Sequence, residues 1–414
     1  MNTEKQYKAK NGYLYRWIVV GACFICCTSY GTFYTFGIFF KPIQEEFQWS
    51  YALTSSLQSI QVFVYVLSSL ALGWATDRFG PRVPLLIGAL CLGCGYVLCS
   101  KVQTLQDFYL YYSLTSIGSG ISWALPLSTV QRWFDDGHRR GMALGITLSG
   151  IGMGTFAWAP TMSYVIQNHG WRKGYVVMGS ISIAVLLLAA LFMAAPRRSN
   201  APIDLAENKG PHEGDSLVQW ADSIEIGIAL RTPQLWLICL IQALFNMGLF
   251  LIFVHVVPYA IQIGIDGIAA GKAMGLIGGF SVIGRIFTPT FIEKRLSAKW
   301  ELGLLLCALG AAASVLYLNL VHTYWMLYLF VIIYGFFYGS WIPTVVALIG
   351  TYYGTRSLGA VLGVTQIGLI GGVLGPMLGG FVYDRLGHYP VAFSICAIAF
   401  ACAGTISFLM NRPN

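Results

Sequence analysis

One side chain poses a chemical problem that the rest of the chain must answer. Arg285 lies in GGFSVIGRIFTPTF (Gly278 to Phe291), an almost wholly apolar stretch with no Asp or Glu nearby. A guanidinium stays charged in a protein and presents a planar fork of N–H donors that suits a carboxylate better than an ammonium does. All seventeen Asp and Glu fall in tails, connections or the ends of apolar runs, so the chain supplies no internal carboxylate to neutralise it. A cation left in a bilayer interior costs about 3 kcal/mol even on the lenient insertion scale. Two readings compensate that cost: a guanidinium tied to backbone carbonyls or a polar cavity group, or one that binds a mobile anion. The second makes Arg285 an anion site facing a central cavity.

The other polar groups inside apolar runs are few. His255 is the one histidine well inside a run, with Tyr259 a helical turn beyond. It suits either a hydrogen bond between helices near the outer surface or a proton-carrying, substrate-contacting role, since its charge changes near neutral pH. Gln242 and Asn246 share a helix face; on a straight helix His255 lies about 180° from Asn246, so both face one cavity only if that helix bends, with Gly248 the place for it. Tyr30, Tyr34, Trp123, Tyr334 and Tyr338 are each either packing or contact residues, and Tyr334 and Tyr338 share a face. No metal or cofactor site is expected. All ten cysteines lie in apolar runs, where pairs such as Cys23/Cys26 and Cys91/Cys94 are helical neighbours without the polar partners a metal or redox site requires.

These residues need a membrane around them, and the composition supplies one. Of 414 residues 56% are hydrophobic and 10% charged, against roughly 25% charged in a soluble domain. Apolar runs of about 20 residues, each able to cross a hydrocarbon core of about 30 Å, predict twelve spans near 14–40, 52–75, 83–100, 108–130, 140–165, 174–194, 234–262, 269–292, 301–319, 324–349, 358–382 and 390–410. The opening MNTEKQYKAKNGYLYR has no cleavage pattern after it, so the N-terminus is expected to be retained. About 18 of the 25 Lys and Arg lie in the tails and the connections on their side, and about six on the opposite side. That asymmetry predicts cytoplasmic N- and C-termini, and the +8 charge reflects topology and not nucleic acid. A compact chain with short tails leans towards a bacterial inner membrane.

The single long polar stretch, 195–233, divides the chain into a six-span bundle at 1–194 and another at 234–414. A shift of 217 residues aligns Gly31, Phe33 and Phe36 with Gly248, Phe250 and Phe253; a shift of 218 places Gly141, Gly145, Gly150 and Gly154 on Gly359, Gly363, Gly368 and Gly372. Glycines at this spacing allow close helix approach, so the fifth and eleventh spans are predicted to be equivalent packing helices of parallel repeats. A site between two such bundles suggests alternating access.

GWATDRFGPR resembles the G-x-x-x-D-R-x-G-x-R connection of the major facilitator superfamily, with Gly73, Asp77, Arg78, Gly80 and Arg82 in the expected places. The resemblance covers the whole chain and implies an all-α membrane protein, with twelve transmembrane helices in two pseudo-symmetric six-helix bundles. It makes that loop a gate, its Asp near a helix N-terminus of the neighbouring bundle. The second-half counterpart, PTFIEKRLSAK, keeps only Glu293, Lys294 and Arg295 as charges besides its final lysine. Within the superfamily, RWFDDGHRRGMALGITLSGIGMG (Arg132 to Gly154), GWRKGY (Gly170 to Tyr175), HVVPYA (His255 to Ala260) and the Gly-Arg of the eighth span are similar to the monocarboxylate transporters and the oxalate–formate antiporter group.

That resemblance implies a secondary transporter, with Arg285 as its substrate arginine; Tyr34, Asn246, His255, Ser281, Tyr334 and Tyr338 are the further binding candidates. Oxalate-type relatives carry a lysine in the eleventh span where this chain has Gln366, so one internal cation fits one carboxylate: lactate, pyruvate, acetate or glycolate before a dicarboxylate. Animal relatives carry a lysine near Tyr34 and an aspartate at Ser281, both linked to proton coupling. Coupling here falls to His255 and Arg285, with a proton and a monocarboxylate as the expected partners, or is absent. An anion exchanger is the main alternative. GGVLGP (Gly371 to Pro376) resembles a drug-exporter pattern but lies in the wrong span, and the chain shows no H-x-x-x-H, Ser/His pair or paired carboxylates for a membrane enzyme, nor an output domain for a receptor.

Overall fold

The computed structural model describes residues 2–134, 139–193, 226–297, 299–354 and 358–411, with side chains except at 2–14, 70–79, 140, 226 and 358–360. Most of the 195–233 segment lies outside the described residues. The rest is helical: twelve spanning units run alternately between a face that holds both termini, here the terminal face, and the opposite face. The first is Asn2–Tyr30 continued through a 3-10 turn, Gly31–Tyr34, into Phe36–Phe47. The second to sixth are Tyr51–Phe79, Arg82–Cys99, Leu105–Trp133, Arg140–His169 and Trp171–Phe192. The seventh to tenth are Pro233–Gln262, Gly267–Arg295, Trp300–Leu318 and Tyr324–Tyr353. The eleventh is Leu358–Thr365, a 3-10 turn Gln366–Leu369 and Ile370–Leu386; the twelfth is Pro390–Leu409.

Among the described residues ten units are long and apolar enough, by length and composition, to cross a membrane. The second and fourth spans carry polar residues that point inward. Thr54, Ser55, Gln58, Ser59 and Gln61 of the second, and Thr115, Ser116, Ser119 and Ser122 of the fourth, are buried. Gln58 donates to Gln61 (2.9 Å), whose amide donates to Thr115 (3.1 Å), so the polarity is satisfied between helices instead of meeting lipid.

The predicted equivalence of the fifth and eleventh spans holds in their packing. A Cβ on Gly150 or Gly154 would lie 2.4 or 2.2 Å from the carbonyls of Phe24 or Thr28 in the first span. One on Gly371 or Gly375 would lie 1.8 or 2.0 Å from those of Ala243 or Met247 in the seventh, with Gly368 and Gly372 on the same contact. Gly145 and Gly363 have nothing within 4 Å. Gly371→Ala is therefore expected to abolish a monodisperse, cooperatively melting protein while Gly363→Ala is tolerated, as size-exclusion profile and thermal melt would report. The symmetry is incomplete elsewhere: the first span is broken at Gly31–Tyr34, whereas the seventh runs unbroken and sets Gly248 against Cys396 and Phe400 of the twelfth.

At the opposite face GWRKGY clamps the first bundle. Trp171 donates to Glu46 (2.6 Å), and Arg172 pairs with the same carboxylate (2.5 Å) while donating to the carbonyls of Ser100 and Val102.

Three helix pairs join the bundles, among them the first and seventh spans, where a Cβ on Gly37 would lie 2.4 Å from the Phe253 carbonyl. Fifth and eighth meet through glycines: a Cβ on Gly152 would lie 2.5 Å from the Gly278 carbonyl, and one on Gly278 2.6 Å from that of Gly152. Second and eleventh meet where Ser59 donates to the Val373 carbonyl (2.6 Å).

Candidate functional site

Arg285 is held at the fifth–eighth contact by backbone proximity. Gly284 and Gly339 let the eighth and tenth spans touch, a Cβ on either being 2.1 Å from the Phe336 or Ser281 carbonyl. This sets Arg285 beside Tyr338, with the guanidinium carbon 5.7 Å from the ring centre and a terminal nitrogen 3.4 Å from the hydroxyl. The other terminal nitrogen crosses to the first bundle and donates to the carbonyl of Leu148 in the fifth span. Gly152, one turn on, keeps that approach clear of a side chain. Arg285 is 5% exposed, its Nε is buried without a partner, and no carboxylate among the described residues pairs with it. Both readings of the arginine thus meet in one geometry: it is tied to a carbonyl, and that carbonyl belongs to the other bundle.

Next to it, on the side of the terminal face, a cavity of about 80 Å³ opens between the bundles, lined by Tyr30, Tyr34, Tyr65, Trp123, Tyr338 and Trp341 with the amides of Gln242, Asn246 and Gln366. Both mid-membrane breaks border it, at Tyr34 and Gln366, as expected where irregular backbone lines a cavity. Trp341 donates to Gln242 (2.7 Å) and stacks on Phe245 (3.9 Å).

Three layers close the way to the opposite face. Tyr34 of the first bundle meets Phe253 (4.6 Å between ring centres) and Phe250 (5.9 Å), and Phe253 meets Tyr338 (5.4 Å). Beyond them His255, fully buried, links the seventh span to three others: Nε2 lies 2.9 Å from the Pro376 carbonyl and 3.3 Å from the Ser55 hydroxyl, and Nδ1 3.3 Å from that of Tyr389. A carbonyl can only accept, so the neutral ring carries its proton on Nε2 and Nδ1 accepts from Tyr389. Outermost, both oxygens of Asp384 accept from the first-turn N–H groups of the second span, Tyr51 and Ala52, at 2.8 Å each, while Tyr51 stacks on Tyr383 (3.9 Å).

Of the residues singled out from sequence, Tyr34, Tyr338 and Asn246 line the cavity and Arg285 bonds to one of them. Ser281 is instead wedged between Gly152 and Gly339, its hydroxyl donating to the Gly278 carbonyl (2.6 Å). Tyr334 lies behind, stacked on Phe330, with its hydroxyl buried and unpartnered. On the unbroken seventh helix His255 belongs to the closure while Asn246 lines the cavity. In the loop expected to gate, Gly80 combines φ +73 with ψ 178, a backbone conformation that favours glycine, and Arg82 donates to the Met193 carbonyl (2.6 Å). The side chains at Gly73, Asp77 and Arg78 lie outside the described residues. Asp384 was missed, though GGFVYDRLG repeats the G-x-x-x-D-R-x-G of the loop at the far end of the eleventh span.

Twelve spans in two pseudo-symmetric bundles around a central cavity define a helical membrane transporter. The family model of the Major Facilitator Superfamily matches residues 22–369 and 304–414, and the chain belongs to that superfamily; it is a transporter and not an enzyme. It is similar to Monocarboxylate transporter 13 of Bos taurus (28% identical over 96% of this chain and 89% of the relative). It is also similar to Monocarboxylate transporter 12 of Homo sapiens (25%; 92% and 78%) and to the Oxalate:formate antiporter of Oxalobacter formigenes (26%; 65% and 59%). A solved bacterial homologue of the human lysosomal transporter Spinster, in an inward-facing and unoccupied conformation, shares the fold with a TM-score of 0.70 at 17% identity, over 95% of this chain and 96% of that one.

Proposed function

We propose that the protein carries small monocarboxylates together with a proton by alternating access, the bundles at 1–194 and 234–414 rocking about the fifth–eighth and second–eleventh contacts with 195–233 as their tether. The observation that carries the reading is Arg285: a buried guanidinium without a carboxylate, its terminal nitrogens shared between a cavity tyrosine and a carbonyl of the other bundle. A carboxylate that takes the fork displaces the Leu148 carbonyl, so binding loosens the contact that must slide. Gln366 in the cavity wall leaves one internal cation and favours a single carboxylate.

The terminal face is cytoplasmic in this reading, the cavity is approached from within the cell, and the Asp384 face is external. A potential negative inside opposes entry of a lone anion by about 2.3 kcal/mol per 100 mV, and a co-transported proton cancels that opposition. His255, at the seam of the outer closure, is the group proposed to carry it: a second proton on Nδ1 turns the Tyr389 contact into a donor–donor clash unless that hydroxyl rotates. Proton-gradient-driven uptake of labelled lactate into proteoliposomes is expected to resist a potassium–valinomycin clamp, and His255→Gln to flatten its pH profile. Uptake that follows the potential without proton movement overturns symport. Counterflow that requires carboxylate on both sides assigns exchange instead, the activity named for the Oxalobacter relative.

A further inference from the structure

On the terminal face the structure holds a second cavity, unconnected with the central one in lining or chemistry. It occupies about 680 Å³ between the first turns of the third span and the last of the sixth, and is walled by Leu86, Ala184, Leu187, Leu188, Ala190 and Leu191. Its one polar lining residue is Arg82, exposed at the mouth. The Nε of Arg82 is committed to the Met193 carbonyl at the end of the sixth span (2.6 Å), which fixes the plane of the guanidinium. Its two terminal nitrogens have no hydrogen-bond partner among the described residues. Ala184 to Leu191 is seven residue steps, about 10 Å along the helix, so the groove descends from headgroup level into the hydrocarbon.

The geometry points to a binding site for one anionic phospholipid, with its phosphate on the terminal nitrogens of Arg82 and an acyl chain along the leucine wall. An uncharged acyl groove needs no arginine, and a free anion needs no leucines; the two together match a molecule that is both. Basic pockets between spanning helices at the cationic face are the form anionic headgroup recognition takes in membrane proteins. Arg82 also closes GWATDRFGPR, so an occupied site braces the start of the third span directly after that loop.

The test is native mass spectrometry of the full-length protein titrated with phosphatidylglycerol and with phosphatidylcholine of identical chains. One phosphatidylglycerol is expected to be retained about fivefold more tightly, the worth of one cation at an anionic surface. Arg82→Gln should remove the preference, Arg82→Lys should keep most of it, and Ala184→Trp, which fills the groove but leaves the charge, should remove retention of both lipids. Lys272→Gln, a cation on the opposite face, should change neither. Equal retention of the two lipids by the wild type overturns the proposal, as does wild-type retention of phosphatidylglycerol in both Arg82→Gln and Ala184→Trp. Displacement by inorganic phosphate, with Ala184→Trp binding as wild type, also overturns it by reducing the site to a free-anion contact.

Discussion

Arg285→Ala is expected to abolish substrate-dependent thermal stabilisation while the protein still inserts and purifies. A carboxylate bound at Arg285 is desolvated, and truncating one partner of such a pair costs about 2–5 kcal/mol, roughly thirtyfold to several thousandfold in affinity. Insertion should survive, because the substitution removes a buried cation whose Nε is already unpartnered and leaves the glycine contacts of the fifth, eighth and tenth spans intact. Arg285→Lys separates charge from geometry. It keeps the cation but offers a point donor where Arg285 reaches the Leu148 carbonyl and Tyr338 together, so lactate and pyruvate should be bound poorly here too. Tyr338→Phe, which removes the hydroxyl 3.4 Å from the guanidinium, should fall between wild type and Arg285→Lys. Unchanged lactate or pyruvate binding in Arg285→Ala would remove it as the anion site.

The twelve spans and the isolated arginine were legible because hydrophobicity and charge are properties of the sequence itself. The glycine stripes of the fifth and eleventh spans were legible for a related reason: a backbone that must touch another backbone tolerates only a hydrogen at that position. What the sequence left open was direction. Ser281 stands one turn from Arg285 and was expected beside it in the site, yet the eighth helix presents it to Gly152 and Gly339, whose lack of side chains draws the neighbouring helices over it. Tyr334 and Tyr338 share a face, but only Tyr338 lines the cavity, while Tyr334, a turn further from the terminal face, stacks on Phe330. His255 turned on whether the seventh span brings it and Asn246 to one cavity; Asn246 lines the cavity and His255 does not, while Gly248 is a seat for Phe400. Asp384 escaped notice because a carboxylate at a span end resembles ordinary surface charge until its partner, from more than three hundred residues away, is in place.

The second large effect is expected at Asp384, which fastens the opposite face. Its two oxygens satisfy the N–H groups of Tyr51 and Ala52, first-turn donors that a helix cannot satisfy internally, and its charge sits at the positive end of the helix dipole. Hydrogen bonds to an ionised group contribute about 1.5–3 kcal/mol. Asp384→Asn keeps one acceptor and turns an NH2 towards the other N–H, so it replaces one bond by a clash of donors and removes the charge. The Tyr51–Tyr383 stack and the His255 layer remain, so the bundles should stay folded while the face opens more often, by roughly ten- to hundredfold if the contact is made only in the closed state. A cysteine at Phe253, in the aromatic layer, reports this directly. Labelling of Phe253→Cys by an impermeant thiol reagent from the opposite face should accelerate when Asp384→Asn is added, and substrate affinity measured from the terminal face should fall, because fewer molecules present the cavity there. His255→Gln should accelerate labelling less, since glutamine can still donate to the Pro376 carbonyl. Equal labelling rates with and without Asp384→Asn would mean that the closure rests on the aromatic and histidine layers alone.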